Sequence, residues 1–346
     1  MKLSVLDLIP VRSDQDTSQA LQATIGLAKR ADELGFHRYW VAEHHNMPSV
    51  ASTNPAVVIG ILAANTQRIR VGSGGVMLPN HAPLVVAEQF ALLEASAPGR
   101  IDLGLGRAPG SDPVISAVLR QSGNVSDVDR FPNNVQDIVS LLGEEGATVR
   151  LTSGDEYELR GTPKAGSIPD VWLLGSSDYS AALAAALGLP YVFAHHFSGQ
   201  GTARALELYR TTFEASPRLD APRTFLTANV VVADTKEEAE ALALPNLQQM
   251  ARLRAGKKLG PIATVEEAAA DELSSLELEL LDQMRSAWII GDAESAARQL
   301  TQLAERFQVD EVMVSPVSSA YAGTDPSSAP ARIRSLELLA EQFKTA

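Results

Sequence analysis

The chain contains no cysteine, which excludes disulfides, thiolate metal sites and cysteine nucleophiles and suits a cytoplasmic location. It also lacks an excess of positive charge. With 29 Lys and Arg against 42 Asp and Glu, the formal net charge of -13 repels nucleic-acid phosphates and anionic membranes, so neither is expected as a partner. Long apolar runs are absent as well. The longest, Ala181–Ala194, is broken by Gly188 and Pro190 and falls short of the ~20 residues a membrane helix needs. The N-terminal LSVLDLIPV is interrupted by Asp7 and reads as a strand, not as the core of a signal peptide. There is no internal repeat or low-complexity tail.

What is present is an alternation of short Val, Ile and Leu runs with longer Ala-rich segments of helical period, the pattern of βα units around a parallel sheet. Eight strand-like runs are read: Leu3–Ile9, Arg38–Ala42, Ile69–Val76, Ile101–Gly106, Val171–Gly175, Tyr191–Ala194, Phe225–Val232 and Glu311–Ser315. Eight strands suggest closure into a (β/α)8 TIM barrel, and 346 residues suit one such domain spanning 1–346. Asp16-Thr17-Ser18 opens the first helix and Gly35 closes it, while Pro55 and Pro83 stand near the starts of the next two.

Two insertions interrupt the alternation. The first follows strand four, roughly Pro109–Pro169, and holds an amphipathic helix near Val135–Leu142 and a hairpin turning at Ser153-Gly154-Asp155. The second lies between strands seven and eight, where Ala255–Ala287 is polar enough to be a mobile lid.

In a parallel barrel every strand's C-terminal end opens onto one face, so residues that follow strands converge there. His44 and His45 follow strand two, Gly74-Gly75 ends strand three, Arg107 follows strand four, Ser176-Ser177 follow strand five, and His195-His196 follow strand six. Arg107 either clamps a phosphate or carboxylate in bidentate fashion or pairs with a structural Glu. The run LLGSSDYSAALAAAL leads from strand through Gly-Ser-Ser into a helix whose first N–H groups would face an anion, or it is a plain N-cap. Their adjacent strands favour a shared phosphate. His44 suits proton transfer. Glu43-His44-His45 lacks the helical spacing of a zinc motif, so no metal is expected. His45 reads equally as a structural histidine, and His195-His196 share that ambiguity; Glu43 reads as an inward structural residue. The bare strand end at Gly72, Gly74 and Gly75 means either close approach of a ligand or a backbone bend.

Taken in order, AEHH, TNPAVVIG, VGSGGVMLPNHAPLVVAEQFALLEASAPGRIDLGLGR, LGSSDYSAALAAALGLPYVFAHHF, IIGDAESAARQL and VDEVMVSP resemble the bacterial-luciferase-like flavin monooxygenases, particularly the alkanal monooxygenase-like members. The resemblance implies a barrel that takes FMN as reduced co-substrate from a separate flavin reductase and uses O2 to oxygenate a small, largely apolar, aldehyde- or ketone-like substrate. It further implies His44 as the catalytic histidine and Arg107 as a phosphate ligand. Gly74-Gly75 match a position under the flavin ring that often has a non-proline cis peptide, and Gly175, Ser176, Ser177 and Tyr179 match a second phosphate segment. Two departures stand out. Gly175 replaces an acidic residue of luciferase and Gly106 replaces its cysteine, so light emission is not expected. A deazaflavin (F420)-dependent hydride-transfer enzyme and a non-catalytic flavin-binding protein are the alternatives. PAVVIGILAA and PLVVAEQFALLEA are apolar on more than one face, and relatives dimerise through these helices, so a homodimer is expected.

Overall fold

In the computed structural model, eight parallel strands close into a barrel surrounded by helices; all residues are described except 109, 111, 112, 121–127, 198 and 344–346. The strands are β1 (Lys2–Asp7), β2 (Arg38–Val41), β3 (Arg70–Ser73), β4 (Val76–Met77), β5 (Ile101–Gly106), β6 (Ala147–Arg150), β7 (Glu156–Leu159), β8 (Asp170–Gly175), β9 (Tyr191–Phe193), β10 (Thr224–Val232), β11 (Ile289–Gly291) and β12 (Glu311–Pro316). The helices are α1 (Thr17–Leu34), α2 (Pro55–Asn65), α3 (Pro83–Ser96), α4 (Pro113–Arg120), α5 (Phe131–Leu141), α6 (Asp178–Ala186), α7 (Thr202–Thr211), α8 (Lys236–Arg254), α9 (Val265–Ala269), α10 (Ser275–Ala287), α11 (Ala293–Phe307) and α12 (Pro330–Phe343).

Around the barrel the order is β1, β2, β3, β5, β8, β9, β10, β12 and back to β1, which follows the chain as successive right-handed crossovers require. The crossovers are capped as the sequence suggests. Asp16 accepts from the Gln19 N–H in a capping box, Gly35 ends α1 at φ 85°, and Asn54 followed by Pro55 starts α2.

The run read as Ile69–Val76 is two strands, β3 and β4, divided at Gly74-Gly75, whose peptide is cis. The insertion after the fourth barrel strand holds α4, α5 and the antiparallel hairpin β6–β7; its first residue, Pro109, and residues 121–127 lie outside the described residues. The amphipathic helix begins four residues earlier than expected, because Phe131 opens it, fully buried, with Pro132 in the first turn.

The second insertion is folded where a mobile segment was expected. Its polar residues are paired with one another: Thr264 with Glu267 and Ser274 with Glu277 form capping boxes, and Lys257 Nζ donates to Glu277 at 2.7 Å. Ile262 joins the loop after β1, its N–H donating to Val11 O at 2.8 Å and its carbonyl accepting from Ser13 at 2.8 Å. Beyond this insertion the short β11 adds to the outer edge of β10, an element the eight-strand reading missed.

Trp40, Trp172 and Phe225, with centroids 5.0–5.8 Å apart, fill the barrel's N-terminal half together with Leu6, Val192 and Met313. Arg38 lies 4.8 Å over the Trp172 ring and donates to Asp102 at 2.7 Å and Glu311 at 2.9 Å, so the buried charges there are paired. The plug leaves the C-terminal half for a cavity. Among the described residues no helix is long and apolar enough to cross a membrane.

Candidate active site

A cavity of about 410 Å³ opens at the C-terminal ends of the strands, and His44, Gly74, Gly75, Arg107, Gly175, Ser176 and Ser177 all line it. Seven of the eight expected site residues are thus in one place. Tyr179, 38 % exposed, is not in the lining but carries the Arg107 guanidinium 4.0 Å over its ring.

At the end of β2, successive side chains take opposite directions. Glu43 is fully buried behind the cavity wall. Its Oε1 lies 2.8 Å from both His45 Nε2 and His81 Nε2, and its Oε2 accepts from the Met77 N–H at 2.9 Å. Burial alone would raise its pKa, but these hydrogen bonds outweigh it and bring the carboxyl down to about 2. Glu43 is therefore an anion that ties β2 to the turn after β4, and His45 is its structural partner. His81 belongs to the same clamp and was missed, because nothing local in LPNHAP links it to a residue 38 positions away.

His44 takes the other direction. Its N–H donates to Ser52 O at 3.0 Å, while its Nδ1 is buried without a hydrogen-bond partner. Burial lowers its pKa below the usual 6.5, the neighbouring Glu43 charge opposing and His45 adding to the effect. The result is a neutral imidazole in the cavity wall with an unsatisfied nitrogen, a group prepared to take or give a proton.

Gly74 and Gly75 are bare for a packing reason besides access. A Cβ on Gly74 would meet Leu6 at 2.8 Å, and one on Gly75 would run into Leu174 and stand 2.7 Å from Gly104 O. Nearby, the Met77 sulfur lies 3.1 Å from where a Gly106 Cβ would stand, so a thioether occupies the space beside residue 106.

Arg107 makes no ion pair among the described residues, which removes the reading that pairs it with a structural Glu. Ser176 and Ser177 are exposed on the cavity rim at the start of α6, and Ser177 caps the helix without a side-chain hydrogen bond. Asp178, in the first turn, is engaged with Arg204 at 2.6 Å. A free guanidinium and free helix-terminal N–H groups thus share one end of the cavity.

The second histidine pair is also divided. His195 Nδ1 lies 2.8 Å from Thr202 Oγ1 and its ring packs on Phe307, away from the cavity, whereas His196 lines it. The outer wall comes from the loop after β2 (Met47 and Val50), the end of α8 (Met250 and Leu253) and the second insertion (Leu259 and Ile262). A strand-end search could not find these, since they converge only through tertiary packing.

Comparison with known proteins bears on this site. A family model described as luciferase-like monooxygenase matches residues 1–311. A luciferase-like monooxygenase of Escherichia coli (strain K12) is 41 % identical over 311 residues, 90 % of each chain. Among solved structures, apo-MsnO8 superposes with a TM-score of 0.84 at 32 % identity, covering 100 % of this chain and 99 % of that one. The oxygenating constituent of 3,6-diketocamphane monooxygenase from Pseudomonas putida, in complex with FMN, shares the fold with a TM-score of 0.69 at 18 % identity, covering 99 % and 97 %.

Proposed function

Because the chain belongs to the luciferase-like monooxygenase family, we propose that it is a monooxygenase that takes reduced FMN from a separate flavin reductase and uses O2 to oxygenate a small, largely apolar, aldehyde- or ketone-like substrate. The observation that carries the reading is the pairing, at two places in one cavity, of an uncommitted Arg107 beside the start of α6 with a buried His44 whose Nδ1 has no partner. These residues fit FMN. Arg107 and the Ser176 and Ser177 turn would hold the phosphate, with Tyr179 keeping the guanidinium in place and the bare Gly175 allowing close approach. Gly74 and Gly75 would offer the ring a flat, side-chain-free surface.

Reduced flavin, when bound, supplies the two electrons that let one oxygen atom of O2 enter the substrate while the other leaves as water. His44 holds or delivers a proton from its place in the cavity wall, and the largely apolar outer wall keeps bulk water from the reacting atoms. Residues 1–346 act as one domain, as a homodimer in the cytoplasm, in the same proposal; the cysteine-free sequence and the apolar faces of α2 and α3 support those parts.

The test is titration of the purified protein with oxidised FMN, reduced FMN and deazaflavin, followed by flavin fluorescence, then O2 consumption with candidate aldehydes and ketones. Saturable FMN binding is expected, with Arg107→Ala weakening it by about tenfold or more, the loss of a charge-assisted contact. Binding of deazaflavin alone, or of no flavin, overturns the proposal.

A further inference from the structure

β9 ends at Phe193 after pairing with Thr224–Leu226 of β10, and β11 takes up the same edge of β10 only from Val230. Between them, positions 227–229 have no strand partner on that edge, and His196 fills the place. Its N–H points to Thr227 Oγ1 at 3.5 Å, its carbonyl accepts from Asn229 Nδ2 at 3.2 Å, and its Nδ1 lies 2.5 Å from Thr227 Oγ1. Thr227 and Asn229 are buried and, two residues apart on one strand face, both line the cavity. A buried hydroxyl and a buried amide are costly in a barrel interior unless they are used. Here both are used to fix the main chain and the ring of one imidazole. With Nδ1 engaged, Nε2 is the ring nitrogen left for a ligand, and no described residue bonds to it.

The charges of the cavity narrow what that ligand is. Among the described residues of the lining, the charged side chains are Asp7, Arg107 and Arg332. Arg332 donates to Asp7 at 2.5 Å, so the two neutralise each other, and Arg107 stands at the phosphate end. Among the described residues of the lining, no further charged side chain remains to meet an ionised group on a substrate. His196 itself is neutral: burial first, then the nearness of the His44 and His195 imidazoles, which disfavours a further proton there, lowers its pKa to about 4. The outer wall is mainly apolar, from Met47 to Ile262, and its two amides are engaged with the main chain, Asn246 Nδ2 donating to Val317 O and Gln249 Nε2 to Gly260 O at 2.8 Å each.

We propose that His196 is the residue that positions the substrate, holding through Nε2 the one polar atom of an uncharged, otherwise apolar molecule, with Thr227 fixing its ring and Asn229 its main chain. This rests on reading the cavity as the reaction site. With the Thr227 hydroxyl donating to Nδ1 in this arrangement, Nε2 carries the ring proton and donates it, which selects the acceptor atom of a ketone, alcohol or thioether over carboxylates and amines, and over plain hydrocarbons.

Four probes of similar length test it: 2-nonanone, 1-nonanol, dibutyl sulfide and nonane, with binding measured by equilibrium dialysis to the protein with and without FMN. At least one polar probe should bind roughly five- to tenfold more tightly than nonane, the worth of one neutral hydrogen bond. That preference should vanish in His196→Phe and shrink in Thr227→Val, whose shape is conserved. In protein with 15N-labelled histidine, the polar probe and not nonane should shift the Nε2 resonance of His196, one of six histidines in the chain. A preference that survives His196→Phe, the absence of any preference, or no binding of any probe overturns the proposal. FMN affinity, followed by fluorescence in the same samples, separates the two readings: if FMN fails to bind, the flavin reading falls while the His196 measurement on the flavin-free protein still stands or falls by itself.

Discussion

Glu43 and His44 are neighbours in sequence with opposite tasks, and the tasks predict opposite mutant behaviour. Glu43→Gln keeps the shape but leaves two imidazoles and the Met77 N–H facing a neutral group, and should destabilise the protein by about 2–4 kcal/mol in urea unfolding. The pH dependence has a definite sign. The folded pKa, about 2, lies below the ordinary 4.5, so the contribution is complete above pH 4.5 and disappears as pH falls from 4.5 through 2. The Tm gap between the two proteins should therefore close over that window; a gap independent of pH would show that Glu43 is not the anion described. His44→Ala should leave FMN affinity within about twofold yet lower turnover by roughly 10²–10⁴, the range for a lost proton-transfer group. Since burial lowers the His44 pKa, the acid limb of the rate profile should have its midpoint below 6.5. Unchanged turnover in His44→Ala would remove the residue from the chemistry.

At the scale of elements, glycine separates what is legible in a sequence from what is not. Gly72, Gly74 and Gly75 announce something unusual at a strand end, but whether a ligand or the protein itself needs the space is decided by Leu6, Leu174 and Gly104, which arrive from other strands. Gly75→Ala should cost about 2 kcal/mol or more, because the methyl has only backbone and a packed leucine to displace. Gly26→Ala, in the exposed face of α1 with nothing within 4 Å of the new carbon, should instead stabilise by about 0.5–1 kcal/mol. Equal Tm changes for the two would contradict the packing. The same division runs through the fold. β5 was readable to its last residue because an apolar run and a charged stop coincide at Gly106 and Arg107, whereas the three-residue β11 has too few positions to show a period. The rim residues were readable because they follow strands. Which histidine of the second pair faces the cavity was not, since Thr202, met across a turn, draws His195 away; in the first pair His44 was singled out through the resemblance, and the reason, Glu43 holding His45, is seen only in three dimensions.

For the whole molecule the open question of assembly has a physical form. A scattered exposed Leu or Val is normal on any protein. The faces of α2 and α3 differ, because α2 carries no charged residue in its eleven positions and the two helices pack side by side. Val57 is 60 % and Leu92 59 % exposed, with Leu84 and Val85 also open to solvent, so both helices leave large apolar side chains unburied. The expected self-complementary contact would bring two copies of this surface together about a twofold axis. Light scattering at micromolar concentration should then give twice the chain mass, and thermal stability should rise with protein concentration, as it does when association is coupled to folding. Val57→Glu with Leu92→Glu places charge at the centre of the contact, far from the cavity residues, and should give a folded monomer that still binds FMN. A monomeric mass for the unmodified protein, or an unchanged mass in the double variant, would assign these helices to another partner.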